Sequence, residues 1–305
     1  METNKQYKDW LMAGKIAAIA RDYGVSLIKK GAIIREILDL IEERIIKEGG
    51  QIAFPAQISL NNTAAHFCPA IDDNTLIGED IIKLDVGAMV NGAIGDTAIT
   101  IDLSGKNKEL LLASKEGFEA GFKAVMIGAK ISSVGSAIEN AISKKGFNPI
   151  KNLSGHTMDI YTLHTHPSIP NYNTNDSSEL IEGQVIAMEP FATTGGGRVT
   201  EQGIANVFIE IEIKNTRNPI TKKIGEQIKS YNKMPFARRW LEKKFSKAMV
   251  ALALGDLLRS NSIDEYKPLV EASDGLVSQY EHTILVLKTP IITTLTPEQT
   301  LQSNL

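Results

Sequence analysis

The sequence predicts an α+β fold made of two similar halves around a pseudo-twofold axis. Two observations carry this. The order helix, helix, strands runs through residues 6–103 and restarts at 107. In addition, "GAIIREILDLIEERIIKEG" (31–49) lies without a gap over "GAKISSVGSAIENAISKKG" (128–146), with eight of nineteen positions identical and glycines at both ends. Two amphipathic helices share apolar positions by physics alone. The repeated order around them favours duplication, with a site between the halves.

Each element has a local reason. Residues 6–23 and 31–48 carry apolar residues at helical spacing, and Gly49-Gly50 stops the second. Strand-like pieces follow at 52–60, 81–90 and 93–103. Asn91-Gly92, between the last two, is a strong two-residue hairpin turn. In the second half, 107–126 reads as a helix, and Ser133 caps or begins another that ends at Gly146. Strands are expected near 185–191 and 204–214, a helical block over 222–260, and a last strand at "HTILVLK", 282–288.

Composition bounds the function. The chain has 305 residues, 43% hydrophobic and 23% charged, which is ordinary for a globular protein with a sizeable core. A net charge of −3 argues against nucleic-acid binding by the whole molecule. The lone cysteine, Cys68, excludes an intrachain disulfide and a thiol-rich zinc site, and fits a reducing cytosol. No apolar run reaches membrane-spanning length, and the start "METNKQYKDW" lacks a signal-peptide pattern. A cytoplasmic protein without membrane contact is expected. Residues 221–248 hold nine Lys or Arg against two Glu. A solvated basic face is the plain reading of that stretch, and ribosome association the more specific one.

Two aspartates do not belong where they stand. Asp85 and Asp96 lie inside the strands of the hairpin, and aspartate is a poor strand former. With Asn91-Gly92 as the turn, Val90 opposes Ala93 and Gly87 opposes Asp96. Asp85 and Gly87 share a face, so Asp96 lies diagonally across from Asp85 on that face. Two such carboxylates repel, and one takes a proton unless a cation sits between them. Two solvated side chains are the alternative, weakened by the Ile, Leu, Val, Ala and Gly around them.

The histidines and glutamates sharpen this. Of five histidines, three crowd into "SGHTMDIYTLHTHPSIPN" (His156, His164, His166). His66 lies in "SLNNTAAHFCP", and His282 follows Glu281. Glu189 follows an apolar strand in "GQVIAMEPFATTGGG". Asp, Asp, Glu, Glu and one His make an oxygen-rich donor set. Such a set suits Mn(II), Fe(II), Co(II) or Zn(II) in a two-metal arrangement. Paired ions about 3.5–4 Å apart are typical of hydrolases that activate a bridging water.

At this point five stretches, in order, resemble one family: "AFPAQISLNNTAAHFCP", "IIKLDVGAMVNGAIGDTAIT", "LSGHTMDIYTLHTHPSIPN", "VIAMEPFATTGGG" and "YKPLVEASDGLVSQYEHTILV". The chain resembles the type II methionine aminopeptidases, of the short archaeal form, which belong to the pita-bread metallohydrolases. The resemblance covers nearly the whole chain. It implies a curved antiparallel sheet, with residues 1–305 as one catalytic domain and 195–265 as a type II insertion holding a helical subdomain. It implies two divalent ions held by Asp85, Asp96, His156, Glu189 and Glu281, with Asp96 and Glu281 bridging. It implies His66 and His164 as non-ligand histidines at the scissile bond, Glu189 also as proton shuttle, and Phe54 and Tyr266 in the methionine pocket. The implied activity is removal of the initiator methionine from nascent polypeptide amino termini when the second residue is small, by a monomer. By that rule the chain's own Met-Glu start would not be processed.

There are departures. His166 in "LHTHP" stands where the family commonly has a small residue; it either alters substrate entry or is simply solvated, and solvation is the expected case. Thr63 differs from some relatives, and Pro235 falls near the pocket. Two rivals are a non-catalytic binding protein of the same fold and a proline-specific peptidase. The filled ligand positions argue against the first, and the insertion with "LNNTAAHF" against the second.

Overall fold

The computed structural model describes residues 7–296. Helices α1 (Lys8–Leu27) and α2 (Ile34–Lys47) precede the first strands, and α3 (Lys108–Ala124) and α4 (Ile131–Lys144) restart the pattern. The repeated helices α2 and α4 have the same length of 14 residues, and each is followed by a left-handed glycine, Gly49 (φ 87°) or Gly146 (φ 82°). Neither has a side-chain N-cap. Ser133 therefore lies inside α4 rather than at its start. The reason is that extended chain does the capping: Ile34 donates its N–H to Thr75 O (3.1 Å) and Ile131 to Ser178 O (2.8 Å). Isolated bridges at Ile33–Leu76 and Lys130–Glu179 complete the same device in both halves.

The central sheet has eight strands: β1 (Gln51–Leu60), β2 (Ile81–Val90), β3 (Ala93–Asp102), β4 (Ser154–Asp159), β5 (Thr162–Pro170), β6 (Val185–Met188), β7 (Glu281–Leu285) and β8 (Ile291–Ile292). Their spatial order is β1-β2-β3-β7-β6-β4-β5, with β8 on β7, and every pairing is antiparallel. The hairpin register is the expected one: Val90 opposes Ala93, and Gly87 opposes Asp96. The halves meet at the β3–β7 seam, where Glu281 pairs with Ala98 and His282 with Thr97.

The pleat separates core from site. Ile82, Leu84, Val86 and Ala88 of β2 pack with α1 and α2 in one apolar cluster. Asp85 and Gly87, between them, point to the opposite face. In the second half Ile186, Met188 and Ile284 pack with α3 and α4. Two expected strands are shorter than their apolar runs. The 185–191 run is cut after Met188, because Pro190 supplies no N–H to a ladder, and pairing resumes at Phe191–Thr193. The 204–214 run pairs only over Val207–Glu210.

The expected helical block is three helices. Asn218 caps α5 (Pro219–Lys229), accepting from Ile220 N at 3.0 Å with proline in the first turn. A turn and Pro235 break the helix, a short α6 (Arg238–Glu242) follows, and Ser246 caps α7 (Lys247–Arg259). These helices enclose their own apolar cluster, including Phe208, Ile224, Phe236 and Leu254. A small sheet, Phe236–Ala237 on Val207–Glu210 on Ile263–Tyr266, carries this unit towards the central sheet.

Candidate active site

One cavity of about 70 Å³ is lined by all nine residues expected from the sequence to hold metal or substrate. Asp85 comes from β2, Asp96 from β3, His156 from β4 and His164 from β5. Glu189 stands at the proline break after β6, where the chain leaves the ladder, and Glu281 opens β7. Phe54 lies on β1 at a bulge: Ile52 opposes Ala88, Phe54 opposes Gly87 and Gln57 opposes Asp85. Pro55 sits in that bulge, where its missing N–H breaks no ladder bond. The space for the Phe54 ring exists because residue 87 is glycine; a Cβ there would fall on the ring.

The carboxylates crowd together, and among the described residues that line the cavity there is no lysine or arginine. Asp96, His156 and Glu281 each offer a ligand atom within 4.8 Å of the others. His156 Nε2 lies 3.6 Å from Asp96 Oδ2 and 3.8 Å from Glu189 Oε1. Burial pushes Asp85 up to about 7. Burial, then the charge of Asp85, raises Asp96 well above the usual carboxylate range. Glu189 and Glu281 are raised by burial and by their acidic neighbours. Burial and then His164 lower His156 to about 3, so its imidazole is neutral. Its Nδ1 faces Thr157 O at 3.4 Å, which favours the proton there and leaves the Nε2 lone pair towards the carboxylates. Among the described residues, Asp85 Oδ1 is buried without a hydrogen-bond partner. An orphaned oxygen, four mutually repelling carboxylates and a free imidazole lone pair fit divalent cations.

The seam holds these groups reciprocally. Thr97 Oγ1 donates to Glu281 O (2.8 Å) and receives Arg21 Nη1 (2.7 Å) from α1. Thr283 Oγ1 accepts from Asp96 N (2.8 Å) and donates to Asp96 O (2.9 Å). Gln279 Nε2 donates to Glu281 Oε2 (3.1 Å).

The histidines ring the mouth. His156 and His164 meet edge-to-face at 4.4 Å, and His66 meets Tyr266 at 5.3 Å. His66 has φ 65°, a costly conformation for a non-glycine residue. Gln57 Oε1 fixes it by accepting its backbone N–H at 2.9 Å. Burial and then His164 lower His66 to about 4, and burial lowers His164. Both are therefore neutral near pH 7. His166 is exposed and lies outside this cavity, as expected for a solvated side chain.

Sequence reasoning missed Gln57, Ala65, Leu163 and Val207 as lining residues. Only Gln57 had carried a signal, as a polar side chain between Ala56 and Ile58 in an apolar strand. Pro235 does line the cavity, delivered with Val207 and Tyr266 by the small sheet of the helical unit.

A profile of the metallopeptidase family M24 matches residues 11–222. A methionine aminopeptidase from Pyrococcus horikoshii is 41% identical over 285 residues, covering 92% of this chain and 97% of that one. The chain belongs to the methionine aminopeptidase family of M24 metallopeptidases. Members of M24 are metallopeptidases by description, which agrees with the donor set. Among solved structures, a thermophilic Arx1 superposes with a TM-score of 0.83 at 16% identity, covering 95% of this chain and 90% of that one. A methionine aminopeptidase from Thermotoga maritima superposes with 0.69 at 22% identity, covering 95% and 96%. These two likenesses concern the fold, the pita-bread arrangement of two halves. Among the described residues, no helix is long and apolar enough to cross a membrane.

Proposed function

We propose that this methionine aminopeptidase family member hydrolyses the first peptide bond of polypeptides that begin with methionine followed by a small residue. The observation that carries the reading is the convergence of five metal-donor side chains, two neutral histidines and two aromatic rings on one small cavity. In this reading Asp85, Asp96, His156, Glu189 and Glu281 hold two divalent ions, from among Co, Mn, Fe and Zn. Bound divalent ions supply Lewis-acid polarisation of the carbonyl and bring the pKa of a water from about 15.7 towards about 7.

The chain's own residues do the rest. Phe54 and Tyr266 accept the unbranched methionine side chain, with Pro235 and Val207 closing the wall. His164 donates a hydrogen bond to the scissile carbonyl oxygen, where negative charge develops. His66, locked by Gln57, orients the scissile amide. Glu189, at the rim of the donor cluster, passes a proton to the leaving amine. A substrate α-amino group at Asp85 and Asp96 restricts cleavage to the first bond.

Residues 1–305 form one catalytic unit in this reading, with 195–265 as an insertion, supported by its separate apolar cluster. The protein is read as a cytoplasmic monomer acting on nascent chains. Ribosome contact through the basic insertion is the finer partner reading. It is weakened because Lys229, Arg238, Arg239, Lys243 and Lys247 are each engaged with a carboxylate. Salt-dependent co-sedimentation with ribosomes tests it, and no loss on reversing Lys243, Lys244 and Lys247 overturns it.

The deciding assay compares Met-Ala-Ser with Met-Lys-Ser, with and without chelator. Release from Met-Ala-Ser alone, dependent on Mn(II) or Co(II), is expected. Chelator-insensitive release, or none, sinks the reading. Gly-Pro turnover favours the proline-specific rival, and metal-free protein the binding-protein rival. Glu281→Ala should lose metal and activity together.

A further inference from the structure

His166 lines a groove beside the catalytic cavity, and the proposed chemistry does not use it. A groove of about 320 Å³ shares His66, His156, His164 and Glu189 with the catalytic cavity and continues outward past Ser154, His166 and Ser168. In the aminopeptidase reading the first residue occupies the catalytic cavity, which Phe54 and Tyr266 line. The chain beyond the scissile bond therefore leaves through this groove.

His164 and His166 are two residues apart on β5 and flank Thr165, whose hydroxyl is tied to Thr157 Oγ1 at 2.6 Å. Two residues of strand advance about 6.6 Å, the same as two residues of an extended substrate. With His164 at the carbonyl of residue one, His166 stands beside residue three. The groove lining carries no lysine or arginine, and its only carboxylate is Glu189, at the inner end. Its outer wall offers the His166 imidazole and the hydroxyls of Ser154 and Ser168. An acidic side chain in the groove finds a donor there, whereas a lysine finds no counter-charge on the outer wall; Asp159 and Glu182 border His166 in a separate cavity on its other side.

We propose that His166 is a specificity residue for this enzyme's downstream side, donating a hydrogen bond to an aspartate or glutamate at the third position of the substrate. This rests on the aminopeptidase reading above. His166 is exposed, so substitution there leaves the core untouched.

The test measures kcat and KM separately for Met-Ala-Asp-Ser and Met-Ala-Lys-Ser, using metal-loaded wild type, His166→Ala and His166→Gln. A single hydrogen bond predicts a ratio of kcat/KM of about two- to tenfold in favour of the aspartyl peptide, carried by KM. His166→Ala should bring that ratio to about one, and His166→Gln, which keeps a donor, should retain part of it. A wild-type ratio near one, or an unchanged ratio in His166→Ala, overturns the assignment while leaving the aminopeptidase intact. Failure of wild type to release methionine from either peptide, or from Met-Ala-Ser, overturns both.

Discussion

Glu42 and Glu139 occupy matching positions of the two repeated helices and have opposite fates. Glu139 is partly exposed and pairs with Lys151 at 3.4 Å. Glu42 is 4% exposed and accepts from Arg239 and from Trp240 Nε1 (2.8 Å), both in the helical unit. The same carboxylate accepts the N–H of Ala56 at 3.3 Å, inside the β1 bulge between Phe54 and Gln57. Glu42 thus ties the inserted helices to the strand that lines the pocket. The two positions match in the repeat, but only Glu42 has the helical unit as its partner.

Glu42→Ala should therefore cost both stability and selectivity. Removing one partner of a buried ion pair typically costs about 3–5 kcal/mol, because the other charge is left buried. Thermal denaturation should show the loss. In the fraction still folded, kcat/KM for methionyl peptides should fall as Phe54 and Gln57 loosen. Glu139→Ala, on the matched surface site, should change melting by no more than an exposed pair contributes, about 1 kcal/mol or less. Equal effects at the two positions would refute the asymmetry.

Gly87→Ala places a methyl group on the Phe54 ring. Overpacking of this kind costs about 1–3 kcal/mol, and the ring must move into the cavity or away from it. Circular dichroism should show the fold retained, while KM for methionyl substrates rises. An unchanged KM would mean that Phe54 does not bound the methionine site.

The metal-free protein should become less stable as pH rises above about 6.5. The raised carboxylates bind protons more tightly folded than unfolded, so their contribution is full below about 4 and is lost as pH climbs through the folded values, about 7 for Asp85 and well above the usual carboxylate range for the others. The lowered histidines act oppositely: His156 and His66 contribute above their unfolded value of 6.5, and that contribution is lost as pH falls towards about 3 and 4. Above 6.5 the histidines are neutral in both states and the carboxylates decide. Melting temperatures of chelated protein from pH 6.5 to 9 should fall, and Mn(II) or Co(II) should abolish the fall. A flat profile without metal would contradict the carboxylate cluster.

Cys68 should resist alkylation in the native state. It is 3% exposed, and burial pushes its thiol up to about 11 although Arg239 Nη1 lies 2.7 Å from the sulfur. Iodoacetamide labelling near pH 7.5 should be slow, and should accelerate on unfolding to the rate of a free thiol. Fast native labelling would show that the helical unit opens from the first half.

Much of the site was legible because its signals are local. A two-residue turn fixes the hairpin register, and the register fixes the diagonal placement of Asp85 and Asp96. The family resemblance then carried the remaining positions. What escaped depends on distant partners. The N-termini of α2 and α4 are capped by chain tens of residues away, so Ser133 misled as a local signal. Glu189 sits at the end of a strand because of Pro190, a break that the apolar run around it concealed. Gln57 was a visible anomaly whose partner, the strained backbone of His66, no spacing rule reveals. The tie between Glu42 and Arg239 spans 197 residues and joins a repeated helix to an insertion, so neither segment alone implies it.

The seam between β3 and β7 makes the centre a late event in the life of each molecule. Asp85 and Asp96 are synthesised early, but Glu281 follows the whole helical unit and pairs beside them only when β7 enters the sheet. Until then the first half holds two carboxylates and no complete set of donors. In the proposed reading, an enzyme that trims newborn chains is, by this topology, inactive for almost all of its own birth.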